Sequence, residues 1–577
     1  MLYLSAKKEK RSFIMNIARP EFPNPQFERK NWMNLNGEWR FEFDFGISGI
    51  EREIYRETDK FSKKINVPFC PESELSGIGY KDFMNCVWYA REFCLSKDKL
   101  DGRVILHFGA VDFRSYIYVN GSLVFEHVGG QVSFSCDITD YVKEGENTVC
   151  VCAVDKVLDN DQPLGKQSDR YYSYGCSYTR TTGIWQTVWL EFVPESYIKN
   201  FKIYPDAENS TITIEVQTSG IADLKAETSF DNKDTGAAFA KVTKGNVVLT
   251  VDLKEKHLWN VGDGQLYTLK LTFGSDEVYS YFGLRDIRFD GKKFMLNGKS
   301  VFQRTVLDQG FYPDGIYTAR NADELHNDIL RSKACGFNGA RLHQKIFEPL
   351  FLYYCDKEGY LVWGEYYSWG VVNDDYGKMK YIEHEWIEEL ERDFNHPAII
   401  GWCPLNEAWD RPDGDTCRNL YAITKSIDKT RPCIDTSGGI HFICDVFDTH
   451  DYEQDPAKFR EHFDPFADGG DFYDRLHREQ KYEGQPYFMS EYGGIQWSKE
   501  NEGWGYGNAP KSENEFFERF EGLADALLSN KNIFALCYTQ LTDVEQERNG
   551  LYYYDRTPKF DCDKFKAILS KKAAIED

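Results

Sequence analysis

The sequence predicts a multidomain protein of β and α/β structure, with two β-sandwiches followed by a C-terminal (β/α)8 TIM barrel. Its 577 residues are too many for one hydrophobic core. Short strand patterns fill the first half of the chain, and alternating strand and helix patterns fill the second half. We therefore expect a jelly-roll sandwich over residues 1–195, an immunoglobulin-like sandwich over 196–283 and the barrel over 284–577.

The first domain is predicted from short runs in which apolar and polar residues alternate. Glycine, aspartate and asparagine separate these runs, and Asn120-Gly121 is a typical β-hairpin turn. Strands at this spacing favour a sandwich or jelly roll. The predicted strands are Trp39–Phe43, Val87–Phe93, Val104–Phe108, Ser115–Val119, Thr148–Ala153 and Trp185–Phe192.

The second domain continues as short strands with polar turns between them. This pattern fits a small immunoglobulin-like sandwich, which we interpret as a spacer. The predicted strands are Ile198–Tyr204, Ser210–Thr218, Asn246–Val251, Leu266–Phe273 and Val278–Gly283.

From about residue 284 the pattern changes to strand then helix, which is typical of an α/β barrel. The eight predicted strands are Val301–Leu307, Gly339–Leu342, Leu361–Glu365, Ile399–Leu405, Cys433–Thr436, Val446–Thr449, Tyr487–Ser490 and Ile533–Thr539. The predicted helices are Ala322–Ala334, Glu348–Lys357, Tyr381–Asp393, Thr416–Ile427, Glu513–Leu528 and Asp563–Lys571. We expect a short connection after the fifth strand and a loop-rich one after the sixth.

Composition excludes several classes of protein. The net charge is −24 and no Lys/Arg cluster forms a basic face, so nucleic acid is not expected as a partner. The 15 cysteines lack metal-ligand spacing, which favours free thiols in a reducing, cytoplasmic compartment and no metal or other cofactor. Residues Met1–Arg11 lack the apolar core of a secretory signal, and no apolar run is long enough to span a membrane.

Two glutamates follow buried strands of the predicted barrel. Glu407 comes after the apolar run that begins at Ile399, and Glu491 ends the run Tyr487–Ser490. The carboxyl ends of barrel strands meet at one rim, where enzymes of this fold hold their catalytic groups. Two carboxylates on one rim suggest the acid and the nucleophile of a retaining glycosidase.

Several motifs in the same order resemble the family 2 glycoside hydrolases, the group of β-galactosidases, β-glucuronidases and β-mannosidases. The resemblance covers nearly the whole chain. The matching segments are Leu35–Trp39, Thr182–Glu191, Leu296–Lys299, Asn395–Glu407 and Ser490–Gly493. The family is expected to cleave β-glycosides with retention of the anomeric configuration.

The resemblance assigns a role to each residue of the catalytic segment. Glu407 is expected to act as acid/base, because a glycosidic oxygen leaves poorly unless it is protonated. Glu491 is expected to be the nucleophile, with its carboxyl about 5–5.5 Å from that of the acid. Asn406 is expected to bind the 2-hydroxyl of the glycone. A tyrosine in the position of Tyr452 is expected to bond the nucleophile, and the alternative is a packed aromatic ring.

Other polar and aromatic residues follow the predicted barrel strands and are expected near the same rim. Each has an alternative role in packing or structure, including the histidine and the tryptophans. Those expected to contact the sugar are Asp308, Arg341, His343 and Gln540, with Trp363, Glu365, Trp369, Thr542 and Asp543 close by.

The segment after the last predicted barrel strand, Ile533–Thr539, indicates which type of glycone the protein accepts. β-Glucuronidases carry an Asn-x-Lys pair there, which grips the uronate carboxylate. This sequence has Glu547-Arg548-Asn549 before Gly550–Lys559, and a glutamate in place of the asparagine would repel a carboxylate. We therefore predict a neutral glycone, with β-D-galactosides first. Because Arg548 and Asn549 remain as substrate-binding candidates, a uronide-cleaving enzyme such as a β-galacturonidase is the alternative.

The resemblance also predicts the partners. We expect a small glycoside or oligosaccharide as substrate and a homo-oligomer, since members of the family are commonly dimers or tetramers. The alternative of another class is a non-catalytic carbohydrate-binding protein, because a fold alone does not establish activity. Retention of both Glu407 and Glu491 argues against that alternative.

Overall fold

The computed structural model describes residues 17–576, except for 160–161, 244, 372–375, 409–413, 474–475, 477–478 and 499–501. Residues 1–16, which the sequence analysis assigns to the first domain, lie outside the described part. None of the helices formed by the described residues has the length and apolar character needed to cross a membrane.

The first domain is a β-sandwich, as predicted. Its strands are β1 (Trp32–Asn34), β2 (Gly37–Phe43), β3 (Lys63–Val67), β4 (Cys86–Leu95), β5 (Arg103–Phe108), β6 (Val111–Asp112), β7 (Arg114–Val119), β8 (Ser122–Val128), β9 (Phe134–Asp137), β10 (Gly145–Val154), β11 (Gly183–Ile184) and β12 (Val188–Val193). A sheet of order β3-β2-β4-β10-β7-β8 faces one of order β1-β12-β5-β9. Apolar side chains of both sheets, including Trp39, Leu106 and Val151, form the core between them.

The second domain is a smaller sandwich. Its strands are β13 (Tyr197–Asp206), β14 (Thr211–Ser219), β15 (Ala222–Phe230), β16 (Lys233–Val242), β17 (Asn246–Asp252), β18 (Tyr267–Phe273) and β19 (Asp276–Phe282). They form sheets of order β13-β14-β17 and β16-β15-β18-β19. Strands β15 and β16 were not predicted, because they are rich in alanine, lysine and other residues with low β-propensity.

The third domain is an α/β barrel entered through the antiparallel strands β20 (Ile287–Asp290), β21 (Lys293–Leu296) and β22 (Lys299–Ser300). The barrel strands are β23 (Gln303–Asp308), β24 (Gly339–Leu342), β25 (Leu361–Glu365), β26 (Ile399–Cys403), β27 (Phe447–Asp451), β28 (Tyr487–Gly493) and β29 (Ile533–Thr539). They form one parallel sheet of order β26-β25-β24-β23-β29-β28-β27. The helices are α1 (Ala322–Ala334), α2 (Pro349–Glu358), α3 (Tyr376–Asp393), α4 (Gly414–Ile427), α5 (Pro456–Ala467), α6 (Glu513–Leu528) and α7 (Cys562–Leu569).

The prediction of a fifth barrel strand at Cys433–Thr436 is wrong, because this segment does not form a regular strand. Within the described chain this segment makes isolated parallel bridges to the segment that contains β26. Pro432 precedes it and has no N–H to donate. The carboxylate of Asp435 accepts a hydrogen bond of 2.7 Å from the backbone N–H of Phe442. This side chain therefore pairs with the backbone of a loop and not with a neighbouring strand. The segment fills the gap between β26 and β27 without forming a full strand.

The connection after β27 contains a helix that the sequence analysis did not predict. Helix α5 begins at Pro456, where proline is tolerated because it has no N–H to leave unpaired. Asp455 caps it by accepting hydrogen bonds from the N–H groups of Ala457 and Lys458. Pro465 inside the last turn and the many charged residues weaken the helical pattern, which explains why a loop was expected.

A buried arginine joins the two sandwiches. Arg29 donates to Glu191 of β12 at 2.6 Å and to both carboxylate oxygens of Asp276 at 2.9 Å. It also donates to the carbonyl of Ile198 at 2.6 Å. All three charged side chains are nearly inaccessible to solvent, so the two carboxylates depend on this guanidinium for their charge compensation.

We predict that Arg29→Met destabilises the protein by about 3–5 kcal/mol, because it leaves two buried carboxylates without their cation. The expected result is a lower melting temperature and a lower denaturant midpoint. Arg40→Met is the matched control. Arg40 pairs with Glu92 at 2.8 Å, but the two side chains are 37% and 45% exposed, so the loss should stay below about 1 kcal/mol. Equal effects of the two substitutions would contradict the prediction.

Candidate active site

A cavity of about 590 Å³ opens where the barrel strands end. Its wall includes Leu307 of β23, His343 just after β24, Glu407 after β26, Glu491 of β28 and Thr539 of β29. This volume is typical of a small-molecule site. The cavity therefore lies at the face on which barrel enzymes place their catalytic groups.

Glu407 and Glu491 meet His450 in this cavity. One carboxylate oxygen of each glutamate and one ring nitrogen of His450 all lie within 4.8 Å of one another. His450 Nδ1 is 2.7 Å from Glu407 Oε1, and its Nε2 is 3.5 Å from Glu491 Oε1. Burial acts to lower the pKa of His450, but attraction to Glu491 and the hydrogen bond with Glu407 raise it above its ordinary value. The imidazole thereby links the two glutamates.

The backbone of Glu407 is fixed in an uncommon conformation. Its φ of 49° lies in the left-handed region, which residues with a side chain seldom adopt. The Glu407 N–H donates a hydrogen bond of 2.8 Å to the carbonyl of Ser437, which holds this conformation. The side chain is 14% exposed, so it can reach a substrate in the cavity.

Glu491 is anchored by donors on both carboxylate oxygens. Arg341 donates to Oε1 at 2.6 Å, and the hydroxyl of Tyr452 donates to Oε2. Burial alone would raise the pKa of Glu491, but His450, Arg341 and the Tyr452 hydrogen bond hold it well below its ordinary value. Glu491 is therefore an anion at neutral pH, which is the state that a nucleophile needs.

Arg341 also orients two further residues. Its Nη2 donates to Asn406 Oδ1 at 2.6 Å and lies 2.5 Å from Glu365 Oε2. This fixes the side-chain amide of Asn406, whose buried Nδ2 has no hydrogen-bond partner among the described residues. A substrate oxygen is a suitable acceptor for this N–H.

His450 rests on a buried polar network that the sequence analysis did not foresee. Its Nε2 lies 3.1 Å from the Ser437 hydroxyl, which donates to Asp448 at 2.7 Å. Asp448 lies 2.9 Å from His441 Nε2, and His441 Nδ1 lies 2.7 Å from Asp435. Burial would raise the pKa of Asp448, but His441 and the other donors hold it below its ordinary value. The network fixes the plane of the His450 ring.

Six residues predicted to bind substrate are not among the described residues that line the cavity, namely Asp308, Arg341, Asn406, Gln540, Arg548 and Asn549. Asp308 is buried and does not line the cavity. Burial, together with the neighbouring carboxylate of Asp328, raises the pKa of Asp308 to about 6. Gln540 donates to Asn549 at 2.9 Å, and Arg548 lies 3.7 Å from Asp543. The sequence predicted where the strands end. Because successive residues of a strand point to opposite sides, a position at the rim does not determine whether a side chain points into the cavity.

His343 and Trp369 do line the cavity. His343 Nδ1 lies 3.0 Å from Glu365 Oε1, and burial and the nearby Lys166 lower the pKa of His343 well below its ordinary value. It is therefore a neutral imidazole at neutral pH. Trp363 is buried in the barrel core and packs instead of facing a sugar.

The described wall also contains Glu547, which the sequence placed near the glycone, and residues that were not predicted, among them Lys166, Cys176 and Tyr506. Lys166 and Cys176 come from the connection between β10 and β11 of the first sandwich. Tyr506 stacks on Tyr452 with ring centres 3.4 Å apart. No local pattern marks these positions, because only the packing of distant segments brings them to the barrel rim.

Three groups of described residues place possible metal ligands within 4.8 Å of one another. One is the group of Glu407, His450 and Glu491, whose close contacts are accounted for by the hydrogen bonding above. The other groups are His127 with His384 and Glu388, and Asp435 with His441 and Cys444. We assign no metal to any of them.

This geometry suits the cleavage of an acetal. An ionised Glu491 can attack a carbon, and Glu407 can exchange a proton with the leaving atom. Asn406, the neighbour of Glu407 in the chain, has an amide N–H without a hydrogen-bond partner among the described residues, which is available to a hydroxyl group. Two carboxyl groups at this separation are typical of glycosidases that retain configuration.

Comparison with known proteins identifies relatives of two kinds. The chain is 27% identical to a β-glucuronidase of Rattus norvegicus over 445 residues, covering 69% of this chain and 67% of that protein. It is 28% identical to a β-galactosidase of Thermoanaerobacter pseudethanolicus over 386 residues, covering 63% and 50% of the two chains. A putative β-glucuronidase of Formosa agariphila is 28% identical, with 70% and 49% covered. The match thus spans about half the length of the last two relatives.

Solved structures have the same fold. The β-glucuronidase from Ruminococcus gnavus in complex with D-glucaro 1,5-lactone superposes with a TM-score of 0.80 at 18% identity, covering 96% of this chain and 100% of that one. An uncultured Clostridium β-glucuronidase superposes with a TM-score of 0.76 at 19% identity, covering 94% and 99%. This likeness confirms the predicted arrangement of two sandwiches and a barrel.

Models of three domains match consecutive parts of the chain. The sugar binding domain of glycosyl hydrolases family 2 matches residues 32–194, the central domain of that family matches 196–285, and its TIM barrel domain matches 287–571. Together they cover nearly all of the sequence. The chain belongs to glycosyl hydrolases family 2.

Proposed function

We propose that this protein is an exo-acting β-glycosidase that removes the terminal non-reducing sugar with retention of configuration. The observation that carries the proposal is the pair of Glu407 and Glu491, whose nearest oxygens lie within 4.8 Å of each other. Retaining glycosidases hold their two carboxyls about 5–5.5 Å apart, whereas inverting enzymes need about 6.5–9.5 Å to admit a water molecule.

In the first step Glu491 attacks the anomeric carbon as the bond to the leaving oxygen breaks. Glu407 gives its proton to that oxygen, so the aglycone departs as a neutral alcohol. The product is an α-linked glycosyl-enzyme on Glu491. Asn406 can donate its free amide N–H to the 2-hydroxyl, a contact that strengthens as the anomeric carbon becomes positive.

In the second step Glu407, now a carboxylate, takes a proton from water. The water oxygen attacks the anomeric carbon, and the bond to Glu491 breaks. This second inversion restores the β configuration and returns both glutamates to their starting states. The hydrogen bond with His450 keeps Glu407 in place through both steps.

For the glycone we propose a neutral sugar, with β-D-galactosides first. The buried carboxylate of Glu547 lies on the cavity wall, where a uronate would meet a like charge. A relative named as a β-galactosidase supports this choice. The second candidate is a uronide, which is favoured by the lysine in the same cavity and by relatives named as β-glucuronidases.

The cellular setting belongs to the same proposal. We place the protein in the cytoplasm, because all 15 cysteines are free thiols and most are buried. We also propose a homo-oligomer, as is common among enzymes that resemble it.

We predict that the two glutamates are distinguished by the products formed with azide. In Glu407→Ala an activated aryl glycoside should still form the glycosyl-enzyme, and azide should then give a β-glycosyl azide. In Glu491→Ala azide should attack the substrate directly and give an α-glycosyl azide. With alkyl leaving groups Glu407→Ala should lose about 10²–10⁴-fold in rate. NMR of the azides checks the roles, and the opposite stereochemistry would reverse them.

The glycone is tested by a screen of 4-nitrophenyl β-glycosides that includes β-galactoside, β-glucoside, β-galacturonide and β-glucuronide. We expect the highest kcat/KM for the β-galactoside. A clear preference for either uronide would contradict the neutral glycone. Absence of turnover on every sugar, with the protein folded, would favour a non-catalytic carbohydrate-binding protein.

We predict that Tyr452→Phe lowers kcat/KM about 10- to 100-fold, because a hydrogen bond to a charged group is lost. Loss of the donor raises the pKa of Glu491, so the acidic limb of the pH profile should move to higher pH. Tyr171→Phe is the control, since Tyr171 is 64% exposed. An unchanged profile for Tyr452→Phe would show that this tyrosine only packs.

A further inference from the structure

Lys166 reaches the active-site cavity from a different domain. It lies between β10 and β11 of the first sandwich and lines the cavity together with Glu547 of the barrel. The N–H of Gly165 donates to the carbonyl of Trp369 at 3.1 Å. Gly165 has a φ of +59°, and a Cβ there would lie 2.5 Å from the carbonyl oxygen of Gln344, so only glycine permits this approach. The segment is therefore fixed against the barrel rim.

The ammonium group of Lys166 is buried and charged. The residue is 5% exposed, and its Nζ lies 3.9 Å from the centre of the Trp369 ring. Burial acts to lower the pKa of Lys166, but attraction to Cys176, Glu547 and the catalytic glutamates raises it above its ordinary value. In the part of the chain that the structure describes, Nζ forms no hydrogen bond or ion pair. A buried charge in this state is costly unless a ligand supplies acceptors.

Glu547 provides an acceptor in the same cavity. Its Oε1 accepts from Asn549 Nδ2 at 3.0 Å, and its Oε2 accepts from the Tyr178 hydroxyl at 2.5 Å. Each carboxylate oxygen can accept a further hydrogen bond. Tyr178 also donates its backbone N–H to the carbonyl of Lys166 at 2.7 Å. One residue thus positions both the lysine and the glutamate.

We propose that Lys166 and Glu547 form a glycone subsite for hydroxyl groups of a neutral sugar. Lys166 donates to one hydroxyl oxygen, and Glu547 accepts a hydrogen from a hydroxyl group. This inference rests on the proposed glycosidase function and adds to it two residues from separate domains that select the sugar.

The pairing of opposite charges is what selects a neutral glycone. A hydroxyl group is both donor and acceptor, so a sugar diol can satisfy the ammonium and the carboxylate together. A uronate would attract Lys166 but would bring a second anion close to Glu547. The site thus separates a galactoside from a galacturonide, which differ only at C6, by charge rather than by shape.

The test compares wild type with Lys166→Met, which keeps an unbranched side chain one atom shorter and removes the charge. We expect kcat/KM for 4-nitrophenyl β-galactoside to fall about 10- to 100-fold. For the monodeoxy galactoside that lacks the contacted hydroxyl, wild type and variant should be equal. Lys156→Met is the matched control, because Lys156 lies in the same connection and is 48% exposed. The melting temperature checks that each variant is folded.

Glu547→Gln tests the other half of the subsite, since glutamine keeps the shape and loses the charge. The ratio of kcat/KM for β-galacturonide to that for β-galactoside should rise by about tenfold or more, because a like charge is removed. No change in this ratio would overturn the role of Glu547. A folded Lys166→Met enzyme with wild-type kinetics on every sugar would overturn the role of Lys166.

Trapping with a 2-deoxy-2-fluoro β-galactoside separates failure of the subsite from failure of the enzyme assignment. Wild type and Lys166→Met should both form a covalent adduct on Glu491, seen by mass spectrometry. Without an adduct in wild type from this sugar or from the 2-fluoro uronide, the proposed function itself fails. If adducts form and Lys166→Met loses turnover of uronides alone, Lys166 binds a carboxylate and the neutral subsite is refuted.

Discussion

The ionic contact between Arg341 and Glu491 is the interaction on which the site depends. Arg341 is fully buried on β24, and one guanidinium serves Glu491, Glu365 and Asn406. One positive charge cannot fully compensate two buried carboxylates. Burial raises the pKa of Glu365 to about 7 despite Arg341, whereas Glu491 has additional partners and its pKa stays well below the ordinary range. The negative charge is thereby concentrated on Glu491, the proposed nucleophile.

The irregular part of the barrel serves the same purpose. The segment that replaces a fifth strand supplies Asp435 and Ser437, which support His441, Asp448 and through them His450. In a regular barrel strand the backbone groups would pair with the neighbouring strands, and the side chains would be buried in apolar surroundings on both faces. Because the segment forms only isolated bridges within the described chain, its polar side chains can hold the ring that links the two glutamates. A local departure from the ideal fold thus positions the pair of glutamates proposed as catalytic.

The sequence predicted those elements whose pattern is local. Strands such as Gly339–Leu342, Leu361–Glu365 and Ile533–Thr539 are buried apolar runs with clear ends, and the structure has the same bounds. The strands β15 and β16 and helix α5 were missed, because their polar residues obscure the pattern. Glu407 and Glu491 could be found because strand ends and the family resemblance point to the same residues. Lys166 could not be found in this way, because no sequence pattern near it indicates that its segment packs against the barrel.

The first sandwich contributes Lys166 and Cys176 to the wall of the cavity, so the proposed sugar site is not formed by the carboxylates of the barrel alone. The overall charge of −24 has little bearing on the glycone, because charges more than about 8 Å away are screened at physiological ionic strength. Within the cavity screening is weak, and a single ammonium next to carboxylates changes the balance of charge. Backbone hydrogen bonds of Gly165 and Tyr178 hold the Lys166 segment in place, and the Tyr178 hydroxyl holds Glu547. In the proposed subsite, the contact between the two domains therefore sets the positions of the hydrogen-bond donor and acceptor for the sugar, and we infer that selection of the glycone depends on this interface.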